Sequence, residues 1–227
     1  MKHEFLRQKN NKCTVEGCLP AEVWKLIYKH CWPVSGLIRK GPLEVVRNLA
    51  VTPQRWCNMQ MWTIDKNNGK IKCKGKRPVC GVCPFGRAYM RARLIKKRPR
   101  VRQHAYGGIA GKRREEAIAI SRNCRSRAAR ARKSNIQVFR DAAGAFNSVK
   151  HSAIIRSLMK YMSLAETRLF ASAHKDAHLT LVGHTTWRIR KGTLPGHSIG
   201  GKLFVSVYGD ALDVYEEKGK RGGNHGV

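Results

Sequence analysis

The segment 136–162 constrains the fold most strongly, because it places a strand directly before a helix. Ile136, Val138 and Phe139 form an apolar run that is typical of a strand, and Asp141 follows it. The apolar residues that come next recur on one face of a helix: Ile154, Ile155, Leu158, Met159 and Met162. An aspartate after a strand is either a ligand-binding group or an ordinary turn former or helix N-cap. The segment predicts a strand followed by a helix.

Local spacing predicts the other elements of the chain. Helical periodicity or helix-start residues predict helices over 19–28, 42–48, 83–94, 115–124 and 202–215. Alternating or β-branched residues predict a strand over 59–64, a hairpin turn over 65–69 and a strand or hairpin over 179–187. The glycine-rich, charged segment 218–227 is predicted to be disordered.

The charge of the chain predicts a polyanionic partner. The 227 residues include 46 Lys and Arg against 14 Asp and Glu, which gives a net charge of +32. Such an excess repels itself in an isolated globule and favours nucleic acid as the partner. The charge concentrates between Arg87 and Lys133, where Glu115 and Glu116 are the acidic residues. A ribosome-type structural protein would carry the same charge, so charge alone leaves that alternative open.

The sequence predicts neither secretion nor membrane insertion. The first 12 residues are polar, and no run approaches the roughly 18 apolar residues of a membrane span. We expect a nuclear or cytoplasmic location with reduced cysteines. The spacings of Cys13 with Cys18, and of Cys73 with Cys80 and Cys83, permit a zinc site, but only one C-x-x-C pair is present. Free thiols are therefore preferred, and a zinc-supported basic module is kept as an alternative.

The segment 138–151 resembles the first catalytic motif of reverse transcriptases. Asp141 follows the strand, Ala145-Phe146-Asn147 stands where the family has Ala-Phe-Asp, and Val149-Lys150-His151 matches Val-x-His. The resemblance implies that Asp141 is a catalytic residue and a ligand of Mg²⁺. It also implies that Phe146 crowds the 2′ position of the incoming sugar and so favours deoxynucleotides.

Further blocks in the same order extend the resemblance over 19–215, to reverse transcriptases of the non-LTR retrotransposon type. Leu19-Pro20-Ala21-Glu22-Val23-Trp24 resembles the opening of the fingers, and the segments 65–70 and 76–80 resemble fingers segments over the triphosphate. These imply that Lys66 and Arg77 contact phosphates. The segment 103–109 resembles the Gln-x-Gly-Phe block of the template path, which implies nucleic-acid contacts for Gln103 and Tyr106. Basic residues that follow it share that expectation: Arg113, Arg114, Arg125 and Arg127.

The segment 192–198 resembles the nucleotide-binding loop of the same family. Gly196 keeps a glycine of the Gly-x-x-Gln-Gly-Asp-Pro pattern, and Leu203-Phe204 begin the helix after it. Pro195 replaces the glutamine and His197 replaces the aspartate, so these two positions depart from the pattern. The resemblance implies that Gly196 lies against the bound nucleotide.

The resemblance implies an α+β fold, that of a partial right-hand polymerase with fingers and an incomplete palm. It divides the chain into a polar segment over 1–18, a basic fingers-like region over 19–135, a partial palm over 136–217 and a tail over 218–227. The third catalytic motif, an aromatic-x-Asp-Asp hairpin, is expected to be missing, because the five aspartates include no adjacent pair. We expect a truncated domain that binds RNA or an RNA–DNA hybrid and is inactive alone. The alternative is a non-catalytic RNA-binding subunit of a ribonucleoprotein.

Overall fold

The computed structural model describes residues 1–12, 14–66, 75–97, 102, 105–107, 111–137, 144–181 and 186–222. Within these ranges the helices are α1 Lys2–Leu6, α2 Ala21–His30, α3 Trp32–Lys40, α4 Pro42–Leu49, α5 Gln54–Cys57, α6 Pro84–Lys97, α7 Arg114–Arg130, α8 Ala145–Ser148, α9 His151–Met159, α10 Leu164–Lys175 and α11 Gly200–Gly222. The strands are β1 Met59–Asp65, β2 Lys76–Val82, β3 His178–Leu181 and β4 Thr186–Arg188. The predicted α+β class is confirmed.

The four strands form one mixed sheet in the order β2-β1-β3-β4. β1 and β2 are antiparallel, from Met59 opposite Val82 to Asp65 opposite Lys76, and β3 and β4 are antiparallel as well. β1 and β3 are parallel, with Met59 opposite Leu179. A parallel pair needs a long crossover, and the segment between β2 and β3, which holds α6 to α10, supplies it.

A single hydrophobic core connects the N-terminal and C-terminal halves of the chain. It contains Leu94 from the predicted fingers-like region together with Phe170 and Leu203 from the predicted partial palm. Phe5 of α1 is 0% exposed and stacks on Tyr28 of α2 at 4.2 Å between ring centroids. The N-terminal segment is therefore an integral part of the core, although its sequence is mostly polar.

Helix α10 was not among the predicted helices, although its first residues carry a start signal. Ser163 accepts a hydrogen bond from the backbone N–H of Glu166, and the Glu166 side chain accepts one from the N–H of Ser163. This capping box satisfies two backbone donors at the helix start.

A buried hydrogen bond joins α9 to α11. The hydroxyl groups of Ser157 in α9 and Ser206 in α11 are 2.7 Å apart.

Most predicted elements are confirmed, and some predictions are wrong. Ile136 is not in a strand, because no other segment of the described residues pairs with it. Its side chain is 89% exposed. Val138, Phe139 and Asp141 lie outside the described residues. The predicted disorder from 218 onwards is also wrong as far as residue 222, because the α11 backbone continues through Gly222. The remainder of that tail is not described.

The predicted hairpin after β1 is confirmed, but the predicted turn over 65–69 is wrong at its start, because Asp65 belongs to β1. β1 and β2 pair up to Asp65 and Lys76, and the Lys66 N–H donates to the Gly75 carbonyl at 2.9 Å. The connection between these paired ends lies over 67–74, outside the described residues.

Candidate functional site

A cavity of about 520 Å³ lies between the sheet and the loop that precedes α11. Its wall combines residues from three parts of the chain: Met61, Pro78 and Cys80 of β1 and β2, Phe146 and Asn147 of α8, and the loop residues Thr193 to His197. We call this cavity the cleft. Its described lining residues include Lys191 but no carboxylate.

The loop that closes the cleft has backbone conformations that favour glycine. Gly192 has a φ of 102° and Gly196 a φ of 80°, both in the left-handed region. An ideal Cβ at Gly196 would overlap the carbonyl oxygen of Cys80 and lie 3.0 Å from its carbonyl carbon. The loop therefore lies directly on the backbone of β2. Only glycine permits this approach at residue 196.

Hydrogen bonds attach the same loop to α8. The N–H of Gly192 donates to the Val149 carbonyl at 2.7 Å, and the N–H of Thr193 donates to the Phe146 carbonyl at 3.0 Å. Phe146 is 51% exposed and its ring centroid lies 4.9 Å from that of Phe204. Phe146 and Gly196, both predicted as nucleotide-binding residues, thus line one cavity.

The two predicted phosphate contacts are not on the wall of the cleft. Side chains alternate between the faces of a strand, and Pro78 and Cys80 line the cavity, so Arg77 belongs to the opposite face of β2. Lys66 lies just beyond the end of β1, at the base of the hairpin connection. Their roles stay predictions, because residues 67–74 of the hairpin are not described.

Tyr106 faces a second cavity, of about 590 Å³, that we call the aromatic groove. Phe146, Phe204 and Tyr208 line the groove as well, and the rings of Phe204 and Tyr208 are stacked at 5.7 Å between centroids. The Lys112 ammonium lies 5.0 Å from the centre of the Tyr106 ring. Gln103, predicted with Tyr106 to contact the template, lies outside the described residues.

Arg102 attaches the segment beside Tyr106 to α11. Its guanidinium donates to Asp213 at 2.9 Å and also contacts Glu216. Two carboxylates on successive turns of one helix therefore neutralise this arginine, and its stem covers Gly209. Arg102 therefore contributes little to the positive field of the molecule.

The predicted nucleic-acid contacts at 113–127 lie on or beside a solvent-exposed helix. None of the residues of α7 is buried, and Arg113 is its N-cap residue. Arg114 and Glu115 form an exposed ion pair at 3.2 Å, which contributes little to stability. Arg125 and Arg127 are exposed. The helix therefore presents its cationic side chains to solvent.

The described residues contain no metal site. No three His, Cys, Asp or Glu side chains among them are arranged to hold one ion. Asp141, the predicted Mg²⁺ ligand, is outside the described part of the chain. Asp210 lies in α11 and pairs with Lys160 at 2.6 Å, so it is not a substitute ligand in the cleft.

Only some of the cysteines that were considered as zinc ligands lie within the described residues. Cys13 and Cys73 are not described, whereas Cys18 and Cys83 are neighbours in the fold. Burial and the neighbouring Cys83 raise the pKa of Cys18 to about 12. With Cys13 and Cys73 outside the described residues, the zinc-supported alternative stays a prediction.

Three histidines beside the cleft were not recognised from the sequence as a group. The Nδ1–H of His174 donates to the Phe170 carbonyl at 2.8 Å, and the ring of His151 lies 5.2 Å from that of His174. Burial lowers the pKa of His174 to about 4, and burial, His174 and Arg87 lower that of His197 to about 3. His174 and His197 are therefore neutral at pH 7. His197 therefore places a neutral side chain at the cleft.

Comparisons with known proteins do not assign the chain to a family. No protein-family model matches it, and a search of curated proteins gives no match. Among the described helices, none combines the length and the apolar character needed to cross a bilayer.

Proposed function

We propose that this chain is a reverse-transcriptase-like domain that binds RNA or an RNA–DNA hybrid, and that its cleft is a nucleotide pocket. The observation that carries the proposal is the shared cavity wall of Phe146 and Gly196. These residues are far apart in the sequence, and the resemblance alone assigned both to the nucleotide. Pro78 and Cys80, from the segment that resembles the fingers, belong to the same wall.

The electrostatics support nucleic acid as the ligand. A net charge of +32 favours a polyanion, and α7 presents Arg125 and Arg127 without burial. Cationic side chains bind phosphates by releasing condensed counterions, which makes the affinity strongly dependent on salt. With RNA as the proposed ligand, we also propose a nuclear or cytoplasmic location.

Asp141 is the one residue of this proposal that is predicted to bind Mg²⁺. The described wall of the cleft offers the exposed ring of Phe146, the backbone of the loop and the Lys191 side chain. These groups suit the sugar and phosphates of a nucleotide, but none of them is a carboxylate. Any metal chemistry would therefore depend on Asp141 and on carboxylates beyond the described lining.

The second candidate is a non-catalytic RNA-binding subunit of a ribonucleoprotein. It is favoured by the lack of carboxylates in the described cleft wall and by the solvent-exposed basic helix α7. Both candidates predict RNA binding, and they differ in whether the cleft takes a nucleotide.

Primer extension and RNA binding, measured on the same preparations, separate the candidates. Wild type, Asp141→Asn and Phe146→Ala are assayed on a primed RNA template with Mg²⁺ or Mn²⁺, and RNA affinity is measured by fluorescence anisotropy. Cross-linking of a photoreactive deoxynucleotide to the cleft, lost in Phe146→Ala at unchanged RNA affinity, supports the nucleotide pocket with or without extension. Extension by wild type that Asp141→Asn abolishes at unchanged RNA affinity would add polymerase activity to that candidate. RNA binding without extension, and without cross-linking of a photoreactive deoxynucleotide to the cleft, supports the RNA-binding subunit. Absence of RNA binding rejects both.

A further inference from the structure

A third concave site lies away from the cleft and the aromatic groove, between the N-terminal segment and α6. Its cavity of about 260 Å³ is lined by residues of α1 and the segment after it, by Arg87, Ala88 and Arg91 of α6, and by Ser198. Ser198 directly follows His197, which lines the cleft. The loop before α11 therefore separates this cavity, which we call the basic pocket, from the cleft.

The basic pocket contains far more cationic than anionic groups. The cations among its lining residues are Arg7, Lys9, Lys12, Arg87 and Arg91, and Glu4 is the carboxylate among them. Glu4 is mostly buried and pairs with the Arg91 Nε at 2.7 Å. One carboxylate cannot compensate five cations, so the pocket has a strong positive potential.

Arg87 has a neutral partner in the pocket. Its Nη2 donates to the Gln8 Oε1 at 2.8 Å, and Gln8 in turn donates to the Pro84 carbonyl at 3.1 Å. This chain of hydrogen bonds orients the guanidinium without neutralising it. A guanidinium held in one position, with N–H groups still available, is suited to bidentate binding of a tetrahedral oxyanion.

Like charges lie close together around this group. Burial and the neighbouring Arg91 lower the pKa of Arg87. Burial and then Arg91 also lower the pKa of Lys202 on α11, so the positive field extends to a third element. An anion in the pocket would relieve this repulsion, because its charge offsets that of the neighbouring cations.

We propose that the basic pocket binds a phosphate group, through the Arg87 guanidinium and the Ser198 hydroxyl, with Lys9 and Lys12 at its mouth. Ser198 supplies a hydroxyl donor, and the volume accommodates a phosphate with part of its substituent. The phosphate is either an internucleotide phosphate of a bound strand or free inorganic phosphate. Phosphate binding itself does not depend on the proposed function, whereas the internucleotide source does.

The test measures phosphate binding to the full chain by isothermal titration calorimetry, with chloride at equal ionic strength as the reference. Arg87→Gln removes one charged donor and is expected to weaken phosphate binding about tenfold. Lys9→Gln/Lys12→Gln changes two exposed residues and is expected to weaken phosphate binding several-fold. Arg156→Gln, at an exposed position of α9 outside the pocket, is the matched control and should leave affinity unchanged.

The proposal is overturned if phosphate binds no better than chloride, or if both pocket variants retain wild-type affinity. Should Arg87→Gln fail to fold, the double lysine variant decides alone. An RNA titration then identifies the source. Competition by free phosphate, with a salt slope reduced by about 0.7 in Arg87→Gln, indicates an internucleotide phosphate. Phosphate binding that persists in RNA-saturated protein indicates free phosphate, and phosphate binding without any RNA binding rejects only the proposed function.

Discussion

Gly196 packs on the backbone of Cys80 so closely that no side chain fits between them. This contact joins the loop before α11 to the strand β2, and the cleft lies beside it. The geometry of the cleft therefore depends on one glycine with a φ of 80°. The same contact explains why a residue far along the chain shares a cavity with β2.

Gly196→Ala should destabilise the fold by about 1–3 kcal/mol, because the new Cβ meets backbone atoms and the φ is unfavourable for alanine. The measurement is the free energy of unfolding from urea titration. Gly36→Ala is the control, since Gly36 lies in α3 with no atom within 4 Å of an added Cβ. That control should raise stability by up to about 1 kcal/mol. Equal effects of the two substitutions would contradict the close contact.

Stability should fall as the pH decreases from about 6.5 towards 4. The folded state keeps His174 and His197 neutral, with pKa values lowered to about 4 and about 3, whereas both protonate near pH 6.5 when unfolded. The unfolded state binds more protons in this window, so the free energy of unfolding decreases on acidification. Between pH 6.5 and pH 4, His174 alone should lower the free energy of unfolding by roughly 3 kcal/mol.

Urea titrations between pH 4 and pH 8 measure this dependence. His174→Gln should reduce the slope in that window, whereas His30→Gln, at an exposed position of α2, should leave it unchanged. A slope that is the same in all three proteins would show that His174 is not held neutral by burial.

Phe5→Ala should lower the free energy of unfolding by about 3–5 kcal/mol, because it leaves a cavity among packed aromatic rings. Phe5 contacts Tyr28, Phe85 and Trp24 through ring centroids 4.2 to 6.2 Å away. Leu37→Ala, at a position that is 71% exposed, should change stability by no more than about 0.5 kcal/mol. A small effect at Phe5 would show that α1 is not part of the core.

Neutralising the cations at 113–127 should weaken RNA binding without unfolding the protein. The variant replaces Arg113, Arg114, Arg125 and Arg127 by glutamine, and none of the residues of α7 is buried. Each phosphate that the variant no longer neutralises should reduce the salt slope by about 0.7 for single-stranded RNA. Anisotropy titrations over a range of salt concentrations measure both affinity and slope.

The control for that experiment removes the same charge from another surface. Lys29, Arg39, Lys40 and Arg47 lie on α2 to α4 and are exposed. If their replacement by glutamine weakens RNA binding equally, the effect reflects total charge, and α7 is not a specific contact.

Local interactions explain which parts of the fold were predictable. Helices α2, α4, α6, α9 and α11 follow from apolar spacing, because that spacing lies within a few residues of sequence. The β1–β2 hairpin was predictable for the same reason. Phe146 and Gly196 were predicted as nucleotide-binding residues from the motifs that contain them, and both line one cavity wall.

Long-range packing decided what sequence patterns left open. The parallel pairing of β1 with β3, the burial of Phe5 and the grouping of His151, His174 and His197 all join residues that are distant in sequence. Such contacts depend on which apolar surfaces pack together and exclude water, and local sequence periodicity does not predict this pairing. The tertiary structure also decided that Arg77 belongs to the face of β2 opposite the cleft.

The sequence by itself determined the excess of positive charge, the α+β class and most helix positions, because these depend on composition and on neighbouring residues. Only the tertiary structure decided which cations converge. It brings Arg7 of the N-terminal segment beside Arg87 and Arg91 of α6, because burial of Phe5 in the common core draws α1 against α6. The net charge follows from the residue types alone, whereas the basic pocket exists only because the fold brings distant cations together.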